Sequence, residues 1–279
     1  MAKQLIVTAD DFGLSPGVNT GIVTAHTTGI VTGTSLMVNM PFARDAMRLA
    51  ADAPGLAVGL HLNLTSGVPL TRARHLIDGQ GHFLSLPRVA AAVTFDARAV
   101  RDARVEWEAQ AEAFLSMRSQ VAAVDSHHHL HTHPRLLDAA LTLARELGAP
   151  LRWPLDGCHL AASDWLDAKA SLLTALTVLQ RVRLRRKGVL STDHFCGLYL
   201  MGERFTPANL QRVIEGLRTG YTELMCHPAQ VDDELRRITS YAEPRAWEMA
   251  ALTSPALRAS LTASGVELAT WNDLKERVA

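Results

Sequence analysis

The sequence contains no run of the roughly 20 apolar residues that a membrane span needs. It has no excess of charge either: Lys+Arg and Asp+Glu both total 28 among 279 residues. A balanced chain offers no electrostatic footprint for nucleic acid or an acidic membrane. Cysteine is scarce as well. Cys158, Cys196 and Cys226 are odd in number, widely spaced and without a CxxC pair. That pattern argues against a disulfide framework or a thiolate zinc site and suits a reducing compartment. The opening MAKQLIVTADDFG lacks the longer apolar core and small-residue cleavage site of a signal peptide, so a cytoplasmic protein is expected. No proline-rich linker, low-complexity tract or fixed-period repeat divides the chain, and a single domain over residues 1–279 is expected.

What is present is alternation. Short apolar runs at Gln4–Ala9, Thr34–Val38, Ala57–Leu64, Ala122–Ser126, Leu151–Trp153, Asp193–Phe195, Thr222–Cys226 and Glu267–Ala269 read as strands. Between them, Pro16–Thr28, Pro41–Asp52, Ala97–Met117, Pro134–Leu147, Leu166–Arg186, Pro207–Arg218 and Pro244–Leu252 read as helices. Proline near several starts, and Gly29, Gly148 and Gly220 after several ends, support these limits. Repeated strand–helix units predict an α/β fold with a mostly parallel sheet, best satisfied by a (β/α) barrel or an incomplete one. A doubly wound open sheet is the alternative. Residues 71–95 fit no unit, and the Asp78-Gly-Gln-Gly81 turn suggests an inserted loop over one face.

The unusual polar clusters each follow a predicted strand, where parallel α/β folds gather their catalytic groups. In Thr8-Ala9-Asp10-Asp11-Phe12-Gly13 two adjacent carboxylates repel unless something holds them. A metal on one and a proton-accepting task for the other would do so, although the cluster alone reads equally as a turn capping the next helix. His61 lies on the same strand face as Asn63, and a lone strand histidine is more often a hydrogen-bonded structural residue. Asn63-Leu64-Thr65 matches a glycosylation sequon, which has no use without secretion. The densest cluster is Asp125-Ser126-His127-His128-His129-Leu130-His131-Thr132-His133-Pro134, with five of the chain's twelve histidines. One or two of these should bind metal while others orient ligands; His127 and His131 would face the same way in a helix. His227, before Pro228, sits on a loop after a strand, and Cys226 beside it is better read as a buried thiol than as a nucleophile. Arg181–Lys187 reads as a solvated helix face rather than a phosphate site. One aspartate and two histidines make a facial metal site with positions left for water and substrate. Asp10 could take a proton from that water and His227 could protonate a leaving group, an inventory sufficient to hydrolyse an amide or ester.

The segments TADDFGLSPGVN, VTGTSLMVNMP, VGLHLNLTSG, DSHHHLHTHP, TDHFCGLY and TELMCHPA closely resemble the YdjC/ChbG family of carbohydrate deacetylases, in the family's order and over nearly the whole chain. A branch associated with hopanoid biosynthesis is also similar. The resemblance implies a (β/α) barrel-like fold distantly similar to polysaccharide deacetylases. It implies removal of N-acetyl groups from amino sugars, as in chitooligosaccharides, with a small carbohydrate as the partner. It places one divalent metal, usually described as magnesium, on Asp11, His61 and His127, with Asp10 as base. By analogy with the wider deacetylase group, His227 is the acid and Arg152 orients the base. Two imidazoles and a carboxylate bind zinc, cobalt or nickel more tightly than magnesium, so donor chemistry and resemblance point to different metals. Two other readings stay open: a phosphoesterase or amidohydrolase with two metals on a similar barrel, and a sugar- or metal-binding protein without turnover. Oligomeric state is open too, a homodimer being one option.

Overall fold

The computed structural model describes residues 2–157 and 168–277. Its centre is β1, Lys3–Phe12, whose last eight residues are all buried. A parallel strand covered on both faces reads as an unbroken apolar run, and Leu5-Ile6-Val7 supplies one. Six more strands follow among the described residues: β2 (Gly33–Leu36), β3 (Ala57–Leu62), β4 (Val124–Ser126), β5 (His194–Cys196), β6 (Gly220–Cys226) and β7 (Val266–Leu268). All pair in parallel, in the order β4-β3-β2-β1-β6-β5. On one side of β1 the pairing is divided, β7 meeting Lys3–Leu5 and β2 meeting the stretch from Thr8 to Phe12.

The predicted strand Leu151–Trp153 is present only as isolated bridges. Leu151 pairs with Val124 on β4 and Asp156 pairs with Phe195 on β5. Residues 151–156 therefore join the two outer strands and curl the sheet into the expected barrel-like form. Pro150 and Pro154 withhold two of the N–H groups that a longer ladder would use.

The helices begin where the sequence offers caps. They are α1 (Pro16–Thr27), α2 (Ala43–Ala51), α3 (Leu86–Phe95), α4 (Ala97–Met117), α5 (Leu137–Glu146), α6 (Ala168–Arg186), α7 (Pro207–Glu215), α8 (Asp233–Ile238), α9 (Glu243–Leu252), α10 (Pro255–Ala263) and α11 (Trp271–Glu276). Ser15 accepts from the Val18 amide with Pro16 at the first turn, and Thr206 and Asp96 cap α7 and α4 in the same way. The α4 limits are those read from sequence; Leu166, the expected start of α6, lies outside the described residues.

Two expectations need correction. Residues 71–95 are not loop throughout: Leu86–Phe95 is α3, burying Val89 and Val93 four apart on one face. Nor does the segment line the polar cavity at the strand ends. It is tied to α4 instead, Glu106 accepting from the amides of Leu70 and Thr71 and Asp102 from that of His75. Second, Cys196 is disulfide-bonded, whereas Cys226 is a free, buried thiol; Cys158 lies outside the described residues. Spacing along a chain does not report distance in space, so the odd count carries no argument about compartment. No helix among the described residues is long and apolar enough to cross a membrane.

Candidate metal centre and catalytic cavity

The strand ends meet in a cavity of about 300 Å³, lined on its polar side by Asp10, Asp11, His61, His127, His227 and Arg245. Asp10 and Asp11 end β1, but they do not share partners. The register of β1 against β2 shifts between Ala9 and Phe12, and Asp11 has φ 70°. A bulged, left-handed residue re-aims its side chain. Adjacent carboxylates thereby face different neighbours, which relieves the repulsion noted from sequence.

Asp11 meets the two histidines. His61 Nε2 lies 3.4 Å and His127 Nε2 3.9 Å from Asp11 Oδ1. That oxygen is buried and has no hydrogen-bond partner, while Arg245 Nη2 binds Oδ2 at 2.5 Å. The other nitrogen of each ring is engaged: His61 Nδ1 donates to Asp125 Oδ1 at 2.7 Å, and His127 Nδ1 lies 2.7 Å from Thr65 Oγ1. Two Nε2 atoms and one orphaned carboxylate oxygen thus converge, the N,N,O donor set of a facial divalent-metal site. Burial would raise the Asp11 carboxyl, but Arg245 and the two histidines hold it well below the usual carboxylate range. Burial would lower His61; Asp125, Asp11 and Asp10 outweigh it and hold a proton on that ring up to about 10. The proton occupies the electrostatic place that a cation would take over. Burial and the neighbouring His128 keep His127 neutral, well below the usual histidine range.

Asp10, His61 and Asp125 also place one donor atom each within 4.8 Å of one another. Their carboxylates are already engaged. Arg152 Nη1 and Nη2 bind the Asp10 oxygens at 2.6 and 2.7 Å, Arg152 Nη1 lies 2.7 Å from Asp125 Oδ2, and Nε bonds Glu223 Oε1 at 2.8 Å. This is an ion-pair network around one fully buried guanidinium, not a set of open donors. Ser35 Oγ adds a bond to Asp10 Oδ1 at 3.1 Å. Burial raises Asp10 despite the pull of Arg152. Arg152 and His61 overcome burial at Asp125 and hold it at about 2.

Glu223 is the third carboxylate on Arg152. Burial pushes it up to about 7, and its Oε2 has no partner. Between about pH 4.5 and 7 the folded protein therefore binds a proton that the unfolded chain has released, so this group's contribution to stability falls as pH rises through that window. Glu223→Gln is expected to flatten the fall by roughly 2–3 kcal/mol. Denaturant unfolding at pH 5 and pH 8 measures it; an unchanged pH slope would contradict the assignment.

His227 follows β6. Its backbone amide donates to Glu248 Oε2 at 2.5 Å and its ring stands edge-on to Tyr241, with centroids 5.9 Å apart. Burial, with Arg245 and Arg152 nearby, lowers the imidazole to about 3, so it is neutral at rest. Glu248 Oε2 lies 3.9 Å from His227 Nδ1, accepts on its other oxygen from Tyr241, and is raised by burial to about 7. The loop after His227 is seated against α1, where Gly17 and Gly21 share a face. A Cβ on Gly17 would come within 1.9 Å of Gln230 O, and one on Gly21 within 2.4 Å of Ala229 Cα. Helical glycine normally costs about 1 kcal/mol against alanine; here the missing Cβ atoms allow the contact.

The sequence-predicted residues Asp10, Asp11, His61, His127, Arg152 and His227 all lie in or directly behind this cavity. The helical pairing of His127 with His131 is not found. Residues 127–132 form a 3-10 segment broken by His128 and His129, both at φ 57°. His131 is turned inward, bonded to Ser126 Oγ and to the Arg152 carbonyl. Reading the sequence missed Arg245, Glu248, Tyr241 and the partner role of Asp125. Only Asp125, inside the histidine motif, carried a local signal.

A parallel barrel-like α/β sheet, with its polar cavity at the strand ends, defines the class of protein. The chain belongs to the YdjC-like family, whose model matches residues 4–263. The carbohydrate deacetylase of Vibrio parahaemolyticus is 33% identical over 279 residues, covering 97% of this chain and 96% of that one. The carbohydrate deacetylase of Geobacillus stearothermophilus is 35% identical over 274 residues, covering 98% of each. Among solved structures, an Enterococcus faecalis protein described as a cellobiose-phosphate cleavage protein superposes with a TM-score of 0.78 at 27% identity, over 98% of this chain and 99% of its own.

Proposed function

We propose that the protein is a metal-dependent carbohydrate deacetylase that removes N-acetyl groups from amino sugars, with N-acetylglucosamine-containing saccharides as the substrate class. The observation that carries the reading is the convergence of His61 Nε2 and His127 Nε2 on the orphaned Asp11 Oδ1 in the cavity. The relatives named carbohydrate deacetylase support deacetylation of a carbohydrate.

Asp11, His61 and His127 would hold one divalent cation, magnesium by family resemblance or zinc by donor chemistry. Bound there, it would polarise the amide carbonyl and acidify a water. Asp10 takes a proton from the attacking water; its raised carboxyl is a better base than an exposed aspartate. Arg152 and Ser35 hold that carboxylate in one orientation. His227 supplies the proton to the departing amine. Since the ring is neutral at rest, it takes up one proton from solvent water as the substrate reacts and passes it to the amine, while Asp10 returns the proton of the attacking water to solvent on product release, so the cycle closes. Negative charge developing on the substrate raises its proton affinity, and Glu248, 3.9 Å from Nδ1, becomes the counter-charge.

Acetate release from N-acetylated mono- and oligosaccharides tests the reading. Release is expected with about one metal per chain and should stop on chelation and return on metal addition. About two metals per chain would favour the phosphoesterase or amidohydrolase alternative, and no acetate from any substrate with metal bound would favour a binding protein.

A further inference from the structure

We infer that Thr65, through Asn63, is the positioning residue that fixes which ring nitrogen of His127 faces the cation. The inference rests on the metal reading above. His127 Nδ1 lies 2.7 Å from Thr65 Oγ1, and either atom could be the donor if the pair stood alone. It does not stand alone. Thr65 Oγ1 lies 3.5 Å from Asn63 Oδ1, an amide oxygen that can only accept. That oxygen's orientation is set independently, because it also accepts from the amides of Thr65 at 2.9 Å and Ser66 at 3.1 Å. The Asn63 NH₂ group donates in the opposite direction, to Asn39 Oδ1 at 2.9 Å and Ser66 O at 2.7 Å. A flipped amide would set donor against donor at the two backbone amides and acceptor against acceptor at Asn39 Oδ1 and Ser66 O.

The direction of the chain follows. With the Thr65 O–H turned toward Asn63 Oδ1, the Thr65 oxygen is left to accept from His127 Nδ1–H. His127 Nε2 is then left with its lone pair, and that is the nitrogen aimed at Asp11 Oδ1. At His61 the Nδ1–H donates directly to the Asp125 carboxylate, so Nε2 is again the nitrogen that would face the cation. A carboxylate would add charge at His127, whereas a hydroxyl relay sets the tautomer without any.

The relay is braced from behind. Asn63 is fully buried, and its backbone N–H and C=O are both taken by the Gln110 side chain at 2.8 and 2.7 Å. Gln110 in turn donates to Glu106 at 2.9 Å, the carboxylate that also fastens Leu70 and Thr71. The Asn63-Leu64-Thr65 triplet thus has a use unconnected with glycosylation.

Two measurements test this. The first compares wild type, Thr65→Val and Thr65→Ser, stripped of metal and titrated with zinc against a competing chelator. Thr65→Val, nearly isosteric but without the hydroxyl, is expected to bind zinc roughly 10- to 100-fold more weakly, and Thr65→Ser within about threefold of wild type. Equal affinity for Val and wild type overturns the inference while leaving the metal site standing. Wild type that binds no zinc overturns the metal reading and this one with it. The second uses metal-free wild type, so it decides the matter even if Thr65→Val fails to fold. Long-range proton–nitrogen correlation is expected to show His127 protonated on Nδ1; a ring protonated on Nε2 overturns the inference.

Discussion

Asp10→Asn is expected to lower kcat by roughly 10²- to 10⁴-fold, the range for loss of a general base, with KM changed little. Asparagine keeps the shape but cannot accept a proton at neutral pH. It also turns an NH₂ group toward one arm of Arg152, which now makes two bonds to two oxygens at 2.6 and 2.7 Å. Metal stoichiometry should be unaffected, because the Asp10 oxygens bond Arg152 and Ser35 rather than the Asp11 group. Steady-state acetate release and metal analysis on the same preparation separate the outcomes. Metal lost in the variant would place Asp10 among the ligands, and a kcat within tenfold of wild type would remove it from the base role.

Arg152→Met should have the largest effect on stability. The guanidinium is fully buried and faces Asp10, Asp125 and Glu223 together. Methionine fills much of the volume but leaves these carboxylates without their shared cation. Removing one partner from a buried ion pair costs about 3–5 kcal/mol, and Arg152 is the cation that all three carboxylates share. Lysine should rescue little, since one ammonium cannot reproduce bonds from Nε, Nη1 and Nη2. The pH dependence has a definite sign. Arg152 and His61 hold Asp125 at about 2, so the stabilisation from that group is present above the usual aspartate pKa of about 4 and is lost as pH falls toward 2. The gap between wild type and variant should therefore narrow in acid. Denaturant unfolding of the metal-free proteins at several pH values measures it, and a difference below about 1 kcal/mol at pH 7 would show that the network relaxes without its arginine.

Much of this arrangement was legible in the sequence, for local reasons. β1 announced itself by an apolar run ending in two aspartates, and α4 by a long amphipathic stretch. Two features were harder. α3 was hidden behind the glycine turn at Gly79 and Gly81, which suggested loop for the whole segment. α8 is a six-residue helix, capped by Asp232, too short to show a period. At the site, strand-end placement flagged the Asp10–Asp11 pair and His61, and the family resemblance chose Asp11 and His127 from the candidates; the seating of His127 turns on left-handed backbone at His128 and His129 and on a hydroxyl from another strand's loop. Neither is written locally. Arg245 reaches Asp11 across 234 positions from the first turn of α9, with nothing in the local sequence to mark it. Glu223 did carry a signal, a charge inside a strand otherwise buried.

The two bare positions on α1 bear on attempts to make this protein more robust. A stabilisation programme guided by helix preference would choose Gly17 and Gly21 among its first replacements, since alanine is normally the better helix former. At these positions the added methyl would meet the main chain of Gln230 and Ala229, three and two residues beyond His227. The helix would gain locally and the cavity wall would lose. In this family, homologues with alanine at either place would have to carry a compensating shift in that loop, which makes the pair a marker for how the His227 side of the cavity is seated.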